Sequence, residues 1–170
     1  MANQLPEFPG TGLSREDFAE GKVLLTRGSP KAKYAWDVGV GISHYLDGLR
    51  AGEIRGSHCP QCKRTVVPPR AFCELCFSPR VEWRVLQDTG KVNTFSICYV
   101  TWDMKRVKKP FIPAVIEIDG ADPGMGILHR IDGVDPDRVE IGMPVRAVWK
   151  PEENREGAIT DILHFRPTEV

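Results

Sequence analysis

The chain has 170 residues, 41% of them hydrophobic and 27% charged, which is enough for one domain or two small ones with an apolar core. Lysine plus arginine number 23 and aspartate plus glutamate number 23, so no net charge attracts the chain to nucleic acid or anionic membrane. Residues 1–10 contain no basic stretch followed by an apolar run, and no segment approaches about 18 consecutive apolar residues. We therefore expect a soluble, cytoplasmic protein.

Two helices are predicted in the first third of the chain. Ser14 and Asp17, which lie three residues apart just before Phe18, fit the pattern of a capping box. This pattern favours a short helix to about Glu20. A second helix is indicated by apolar residues at positions i, i+3, i+4 and i+7, ended by Gly52. These residues are Ile42, Tyr45, Leu46 and Leu49. Residues 1–55 are predicted to form an extension and helix that dock on a partner, since they are too short for a core of their own.

Four cysteines form two Cys-x-x-Cys pairs, Cys59/Cys62 and Cys73/Cys76, with ten residues between the pairs. Each such turn places two thiolates on one small loop, and two facing turns complete a tetrahedral site with Zn–S distances of about 2.3 Å. Residues 56–80 are therefore predicted to be a zinc ribbon. Because four protein thiolates leave no position for water or substrate, the metal is expected to be structural.

Two other uses of these cysteines stay open. Two disulfides would satisfy the same count, although nothing else in the chain resembles a secreted protein. An iron site of the rubredoxin type has the same four ligands. Such knuckles usually carry glycine after the second cysteine, where this chain has Lys63 and Phe77.

The fifth cysteine, Cys98, lies within the strand-like run 92–100 and is expected to be a small buried hydrophobe. A catalytic cysteine requires a histidine base nearby. No histidine is placed beside Cys98 by sequence pattern; the four are His44, His58, His129 and His164.

Beyond the ribbon, the apolar period changes from 3.6 to 2, which predicts strands. Val81, Trp83 and Val85 alternate with polar residues. Further strand-like runs cover residues 92–100, 114–118, 126–129, 145–149 and 158–165, separated by turns rich in Gly, Asp and Pro. With no long helical crossover, residues 81–170 are predicted to form a five-stranded antiparallel OB-fold barrel, and the chain as a whole is mainly β.

A basic run, Lys105, Arg106, Lys108 and Lys109, is predicted to occupy a loop between two strands. Such a run can be a solvated hairpin tip. It can also be an anion site, because several cations on one loop can bind phosphates by charge-assisted hydrogen bonds. Arg64 and Arg70 also flank the cysteine knuckles, and Arg70 is expected to brace the ribbon.

The ordered combination of these motifs resembles an acyl-CoA-associated family in which a rubredoxin-like zinc ribbon precedes an OB fold. The resemblance covers residues from about 42 to 165. It is carried by residues 45–54, by both cysteine knuckles, by 67–70 and Trp83, and by the segments 90–92, 113–116 and 139–145.

This resemblance implies a zinc-binding accessory subunit whose catalytic residues lie on a thiolase-like partner, within an acyl-CoA C-acyltransferase complex acting on coenzyme A thioesters. A subunit of a benzoylsuccinyl-CoA thiolase of anaerobic aromatic degradation is the candidate. Subunits of aldolase or hydroxymethylglutaryl-CoA synthase assemblies are alternatives. Lys105, Arg106, Lys108 and Lys109 would then lie near the phosphates of coenzyme A.

A different class of function, single-stranded nucleic-acid binding, also uses OB barrels and zinc ribbons. Its sequence support is limited to the aromatic cluster of Phe95, Tyr99 and Trp102 beside the basic run. The near-neutral pI argues against it. Phe8, Phe18 and Trp36, together with the apolar stripe of the second helix, supply more hydrophobic surface than a small barrel is expected to bury. They therefore predict an interface with the protein partner.

Overall fold

The computed structural model describes residue 12, residues 14–22 and residues 35–168. The chain divides into two units, Met1–Trp36 and Asp37–Val170. Within the first unit, helix α1 (Arg15–Ala19) begins at Ser14, whose side chain accepts a hydrogen bond from the amide of Asp17, so the predicted capping box is confirmed. Phe8, predicted to contribute to an interface, lies outside the described residues.

Helix α2 (Gly39–Ala51) ends at Gly52, which adopts the left-handed conformation expected of a C-terminal glycine. Tyr45 and Leu49 are buried in the core of the second unit, whereas Ile42 is exposed. Only part of the predicted apolar stripe is therefore available to a partner. In the described part of the chain, no helix combines the length and the apolarity that crossing a membrane requires.

A three-stranded sheet follows α2. Strand β1 (Ile54–Cys59) lies between β2 (Arg64–Val66) and β3 (Glu82–Leu86), and both pairings are antiparallel. The strand predicted from Val81, Trp83 and Val85 is thus present, but it extends the sheet of the ribbon. Val85 remains 62% exposed. The predicted domain boundary near residue 80 stays a prediction.

The remaining strands are β4 (Thr89–Phe95), β5 (Cys98–Val100), β6 (Arg106–Ile118), β7 (Gly126–Ile131), β8 (Pro144–Trp149) and β9 (Ile162–Pro167). Strand β4 pairs with both β6 and β8, and the ring closes in the order β4, β6, β7, β9, β8. The predicted mainly β fold with a five-stranded OB barrel is therefore confirmed. One pairing, β7 with β9, is parallel, so the barrel is not antiparallel throughout.

The long strand β6 connects the barrel strands by pairing with three of their neighbours. Its C-terminal half pairs with β4 and β7, while its N-terminal half pairs with β5. Two glycines allow this close packing: a β-carbon at Gly90 would lie 2.1 Å from the carbonyl oxygen of Glu117, and one at Gly126 would lie 2.3 Å from that of Ile116. The barrel core is apolar; its fully buried members are Val92, Ile116, Val145, Ile162 and Phe165.

Candidate metal centre and basic segment

The four cysteines of the two knuckles converge on one point. Cys59 ends β1 and Cys62 lies in the following turn, whereas Cys73 and Cys76 lie in the second turn before β3. Their sulfur atoms all lie within 4.8 Å of one another, and those of Cys59 and Cys76 are 3.7 Å apart. A tetrahedral ion with bonds of about 2.3 Å holds its sulfurs about 3.8 Å apart. The four cysteines are positioned for metal binding.

Both knuckles have the backbone of a metal-binding turn. The amide of Cys62 donates to the sulfur of Cys59 at 3.4 Å, and the amide of Phe77 donates to the carbonyl of Cys73 at 2.9 Å. Lys63 and Phe77 have φ angles of 57° and 56°. These are the positions where a glycine is usual, so the missing glycines leave the turns intact but place two side chains in the left-handed region.

The surroundings of the cluster lower the pKa of one cysteine and raise the pKa of another. Backbone amides of Cys76 and Leu75 lower the pKa of Cys73 to about 7. The neighbouring Cys76 side chain, followed by burial, raises the pKa of Cys62 to about 12. Four thiolates at these distances repel one another unless a cation neutralises them. Four soft sulfur donors suit zinc, and iron in a rubredoxin-type site shares them.

Polar side chains brace the ribbon around the cluster. The guanidinium of Arg64 lies 2.8 Å from the carboxylate of Glu74, and that of Arg70 lies 3.7 Å from it. His58 and Thr65 form a buried hydrogen bond of 2.9 Å between β1 and β2. Arg64 thus joins β2 to the second knuckle, and Arg70 braces the ribbon through the same carboxylate, as the sequence predicts for Arg70.

The basic run does not form a loop, and in this respect the prediction is wrong. Only Lys105 lies in the turn, where it pairs with Asp103 at 2.7 Å, while the other three cations lie on β6. Lys109 pairs with Asp132. Arg106 and Lys108 have no ion-pair partner among residues 12, 14–22 and 35–168. They lie two residues apart in a strand and therefore share a face.

Cys98 lies on β5 opposite Phe111 and is half-buried, so the expectation of a buried cysteine is wrong in degree. Within the described ranges, no hydrogen bond joins Cys98 to a histidine: His58 bonds Thr65 and His129 bonds the carbonyl of Ile159. The nucleophile and base of a covalent catalyst are therefore not assembled at Cys98.

The sequence interpretation missed the turn that joins β5 to β6. Trp102 and Met104 project from it almost fully into solvent. Met104 has a φ angle of 64°, which an amino-acid pattern without Gly or Asn does not signal. The signal available in the sequence was the position of Trp102 immediately before the basic run.

Two family models match consecutive parts of the chain. The model described as the rubredoxin-like zinc ribbon domain of ChsH2 matches residues 46–82. The model described as the C-terminal OB-fold domain of ChsH2 matches residues 83–150.

Several known proteins are similar over this region. A DUF35 domain-containing scaffold protein of Methanocaldococcus jannaschii is 32% identical over 117 residues, which cover 67% of this chain and 81% of that protein. The scaffold protein of the same description from Methanothermobacter thermautotrophicus is 27% identical over 117 residues, covering 67% and 86%. The 3-oxo-4,17-pregnadiene-20-carboxyl-CoA hydratase alpha subunit of Mycobacterium tuberculosis is 28% identical over 120 residues, covering 64% of this chain and 37% of that protein.

Two solved structures share the fold. A chain of the Ltp2-ChsH2(DUF35) aldolase superposes with a TM-score of 0.58 at 22% identity, covering 79% of this chain and 98% of that one. A DUF35 protein of unknown function from Sulfolobus solfataricus has a TM-score of 0.57 at 23% identity, covering 76% and 84%. At these identities the likeness supports the fold alone.

Proposed function

This chain belongs to the DUF35 family of ChsH2-type zinc-ribbon and OB-fold proteins, and we propose that it is the non-catalytic accessory subunit of a thiolase-like acyl-CoA enzyme. The observation that carries the proposal is its match to a scaffold protein at 32% identity over 81% of that protein's length. Relatives described as hydratase alpha subunits and a structural relative described as part of an aldolase agree with an accessory role.

The four-cysteine cluster supplies structure in this proposal. Cys59, Cys62, Cys73 and Cys76 would hold one zinc ion, with all positions of the ion taken by sulfur. The ion would neutralise the thiolates and join the two knuckles, while offering no position to substrate. The chain itself would orient the partner and contribute cations to the coenzyme.

The basic run is the part of this chain that we propose to contact coenzyme A. Of its four cations, Lys105 and Lys109 already pair with carboxylates, whereas Arg106 and Lys108 are exposed and unpaired among the described residues. A phosphate would therefore bind Arg106 and Lys108 without breaking an ion pair. Both residues can donate charge-assisted hydrogen bonds to phosphate oxygens.

A matched pair of double variants tests this assignment. Arg106→Ser with Lys108→Ser is expected to weaken coenzyme A binding by the assembled complex about 30-fold, since each of the two exposed phosphate contacts contributes about 1 kcal/mol. Lys105→Ser with Lys109→Ser removes the same charge and is expected to change the dissociation constant less than threefold. Equal effects of the two pairs, or no effect of either at low salt, would contradict the assignment.

The partner is proposed to be a thiolase of the benzoylsuccinyl-CoA type in the cytoplasm. An aldolase partner is the second candidate, because a protein that shares this fold is described as the Ltp2-ChsH2(DUF35) aldolase. The test is co-expression of this chain with a candidate thiolase-like or aldolase-like subunit from the same organism, followed by size-exclusion chromatography. We expect one hetero-oligomeric peak. Separate elution of the chain and of each candidate subunit would overturn the accessory role.

A further inference from the structure

The segment 99–106, which joins β5 to β6 and is called the tip hairpin below, exposes large apolar side chains. Trp102 is 96% exposed and Met104 is 80% exposed. Tyr99 and Val100 on the same hairpin are also exposed, and so is Phe111, which lies opposite Cys98 on the adjoining part of β6. Burial of a tryptophan and a methionine against another surface would remove much of this apolar area from water.

The tip hairpin is held in one shape by its own hydrogen bonds. The amide of Thr101 donates to the carbonyl of Lys105 at 2.8 Å, and the amide of Met104 donates to the carbonyl of Thr101 at 3.0 Å. The hydroxyl of Thr101 donates to the carboxylate of Asp103, which also pairs with Lys105. A turn that is ordered before binding loses less conformational entropy on docking.

Met104 is unfavourable in the free chain for two reasons. Its φ angle of 64° lies in the left-handed region, where a β-carbon is strained and glycine is not. Its side chain is also almost fully in water, so it gains no packing within the described chain. A contact outside this chain would give the methionine side chain a stabilising role.

Charge identifies the kind of surface that the hairpin fits. Together with the adjoining residues 107–109 of β6, the tip hairpin holds four cations and one carboxylate, a net charge of +3 in a chain of net charge zero. The ion pair of Lys109 with Asp132 leaves a local excess of +2. The complementary surface is therefore apolar at its centre and anionic at its rim. The mouth of a coenzyme A site, with three phosphates at a protein surface, has this character.

We propose that the tip hairpin is the docking element for the catalytic partner, with Trp102 and Met104 seated in an apolar cleft at the mouth of the partner's coenzyme A site. This inference rests on the proposed function and adds to it the contact surface on this chain. The neighbouring Arg106 and Lys108 then lie beside the coenzyme phosphates. A single-stranded nucleic acid fits less well, because Met104 and Val100 have no ring on which a base can stack.

The experiment measures affinity between this chain and the isolated thiolase-like subunit by calorimetry, with three variants. Trp102→Ala removes the proposed main anchor and is expected to weaken binding at least ~30-fold, in the range of a tryptophan hot spot. Met104→Gly is expected to weaken binding about fivefold while leaving the melting temperature of the free chain equal or higher, since glycine suits its backbone. Ile141→Ala removes a side chain of similar exposure, 71%, outside the hairpin and should leave affinity unchanged.

The outcomes separate this inference from the proposed function. If the unaltered chain binds neither the thiolase-like subunit nor the aldolase-like subunit, the accessory role fails and the docking proposal fails with it. If the unaltered chain binds but Trp102→Ala and Met104→Gly bind equally well, only the docking proposal is overturned. If these variants lose affinity for oligo-dT at low salt but keep affinity for the subunit, the hairpin is a nucleic-acid contact and the docking proposal is wrong. Met104→Gly is not expected to destabilise the turn. It therefore tests the docking proposal even if Trp102→Ala fails to fold.

Discussion

The ribbon and the barrel are stabilised by different means, although both are small β-sheets. The barrel encloses apolar side chains, whereas three of the four buried polar or charged residues in the described chain, Ser57, His58 and Thr65, lie on the two ribbon strands β1 and β2. The fourth, Asp161, lies immediately before β9. Burial of apolar area suffices for the barrel. The ribbon strands bury only Ile54 and Val66 among large apolar side chains, so we expect the ribbon to depend in addition on an ion bound by its four cysteine sulfurs. The two regions should therefore respond differently to the same kinds of change.

The largest expected effect is loss of the metal from the ribbon. Cys73→Ser removes one of four sulfur ligands, and structural zinc in small domains contributes folding free energy of order 10 kcal/mol. We expect zinc content to fall from one ion per chain to a small fraction. Amides of residues 54–86 should then exchange rapidly with solvent, while amides of the barrel strands stay protected.

Cys98→Ser is the matched control, because it changes the same atom outside the cluster and should leave zinc content and exchange unchanged. Zinc content and exchange are measured by elemental analysis and by hydrogen-exchange mass spectrometry. Full zinc occupancy in Cys73→Ser would rule out the four-cysteine assignment. Equal loss of protection in the barrel would contradict the separate stabilisation of the two regions.

A second prediction compares one substitution in both regions. Val92→Ala on β4 removes two buried methyl groups at a site 1% exposed and should lower the free energy of unfolding by about 2 kcal/mol. Val85→Ala on β3, at a site 62% exposed, should change it by less than about 0.5 kcal/mol. Urea denaturation of both variants gives the comparison. A similar loss at both positions would show that β3 contributes a core like that of the barrel.

A third prediction concerns the polar exception beside the barrel, Asp161. Its buried carboxylate accepts hydrogen bonds from the amides of Glu156, Gly157 and Ala158 and from the ammonium of Lys150. Burial alone raises the pKa of this carboxyl, but these donors together hold its pKa below the ordinary value. Its contribution is therefore present above the ordinary pKa near 3.8 and is lost as the pH falls through the lower folded value.

Asp161→Asn should cost about 2 kcal/mol at neutral pH, because an amide offers one acceptor oxygen to donors that the carboxylate's two oxygens satisfy. The difference in unfolding free energy between the unaltered chain and this variant should shrink below pH 4. It is measured by urea denaturation from pH 3 to pH 7. A difference that is constant over this range would mean that the charge of Asp161 does not stabilise the loop.

The smallest expected effect concerns the backbone strain in the two knuckles. Lys63 and Phe77 have nearly the same left-handed φ angle, so Lys63→Gly and Phe77→Gly should each relieve backbone strain of about 1 kcal/mol. Thermal melting of the zinc-loaded chain should show equal or higher midpoints for both variants. A fall in melting temperature for Phe77→Gly alone would indicate that this exposed phenyl ring packs within the chain.

The sequence predicted those features that local chemistry determines. Cysteine spacing predicted which four sulfurs converge, Gly52 marked the end of α2, and alternation indicated most strands of the barrel. It failed where tertiary pairing decides: three of the four cations of the basic run lie on β6, where Arg106 pairs with Val100 of β5, and the charge pattern does not encode this pairing. The alternation of Val81, Trp83 and Val85 likewise predicted a strand but could not show that β1 is its neighbour or that Val85 remains exposed.

The central claim, that this chain is an accessory to a catalytic partner, is tested most directly by reconstituting the activity. Formation of acyl-CoA products from a β-ketoacyl-CoA thioester and free coenzyme A is measured for this chain alone, for the thiolase-like subunit alone, and for the assembled complex. We predict no turnover by the chain alone, and a higher turnover or a tighter coenzyme A dissociation constant for the complex than for the partner alone. Turnover by the chain alone, or a partner whose activity and coenzyme A affinity are unchanged by the chain, would contradict the account.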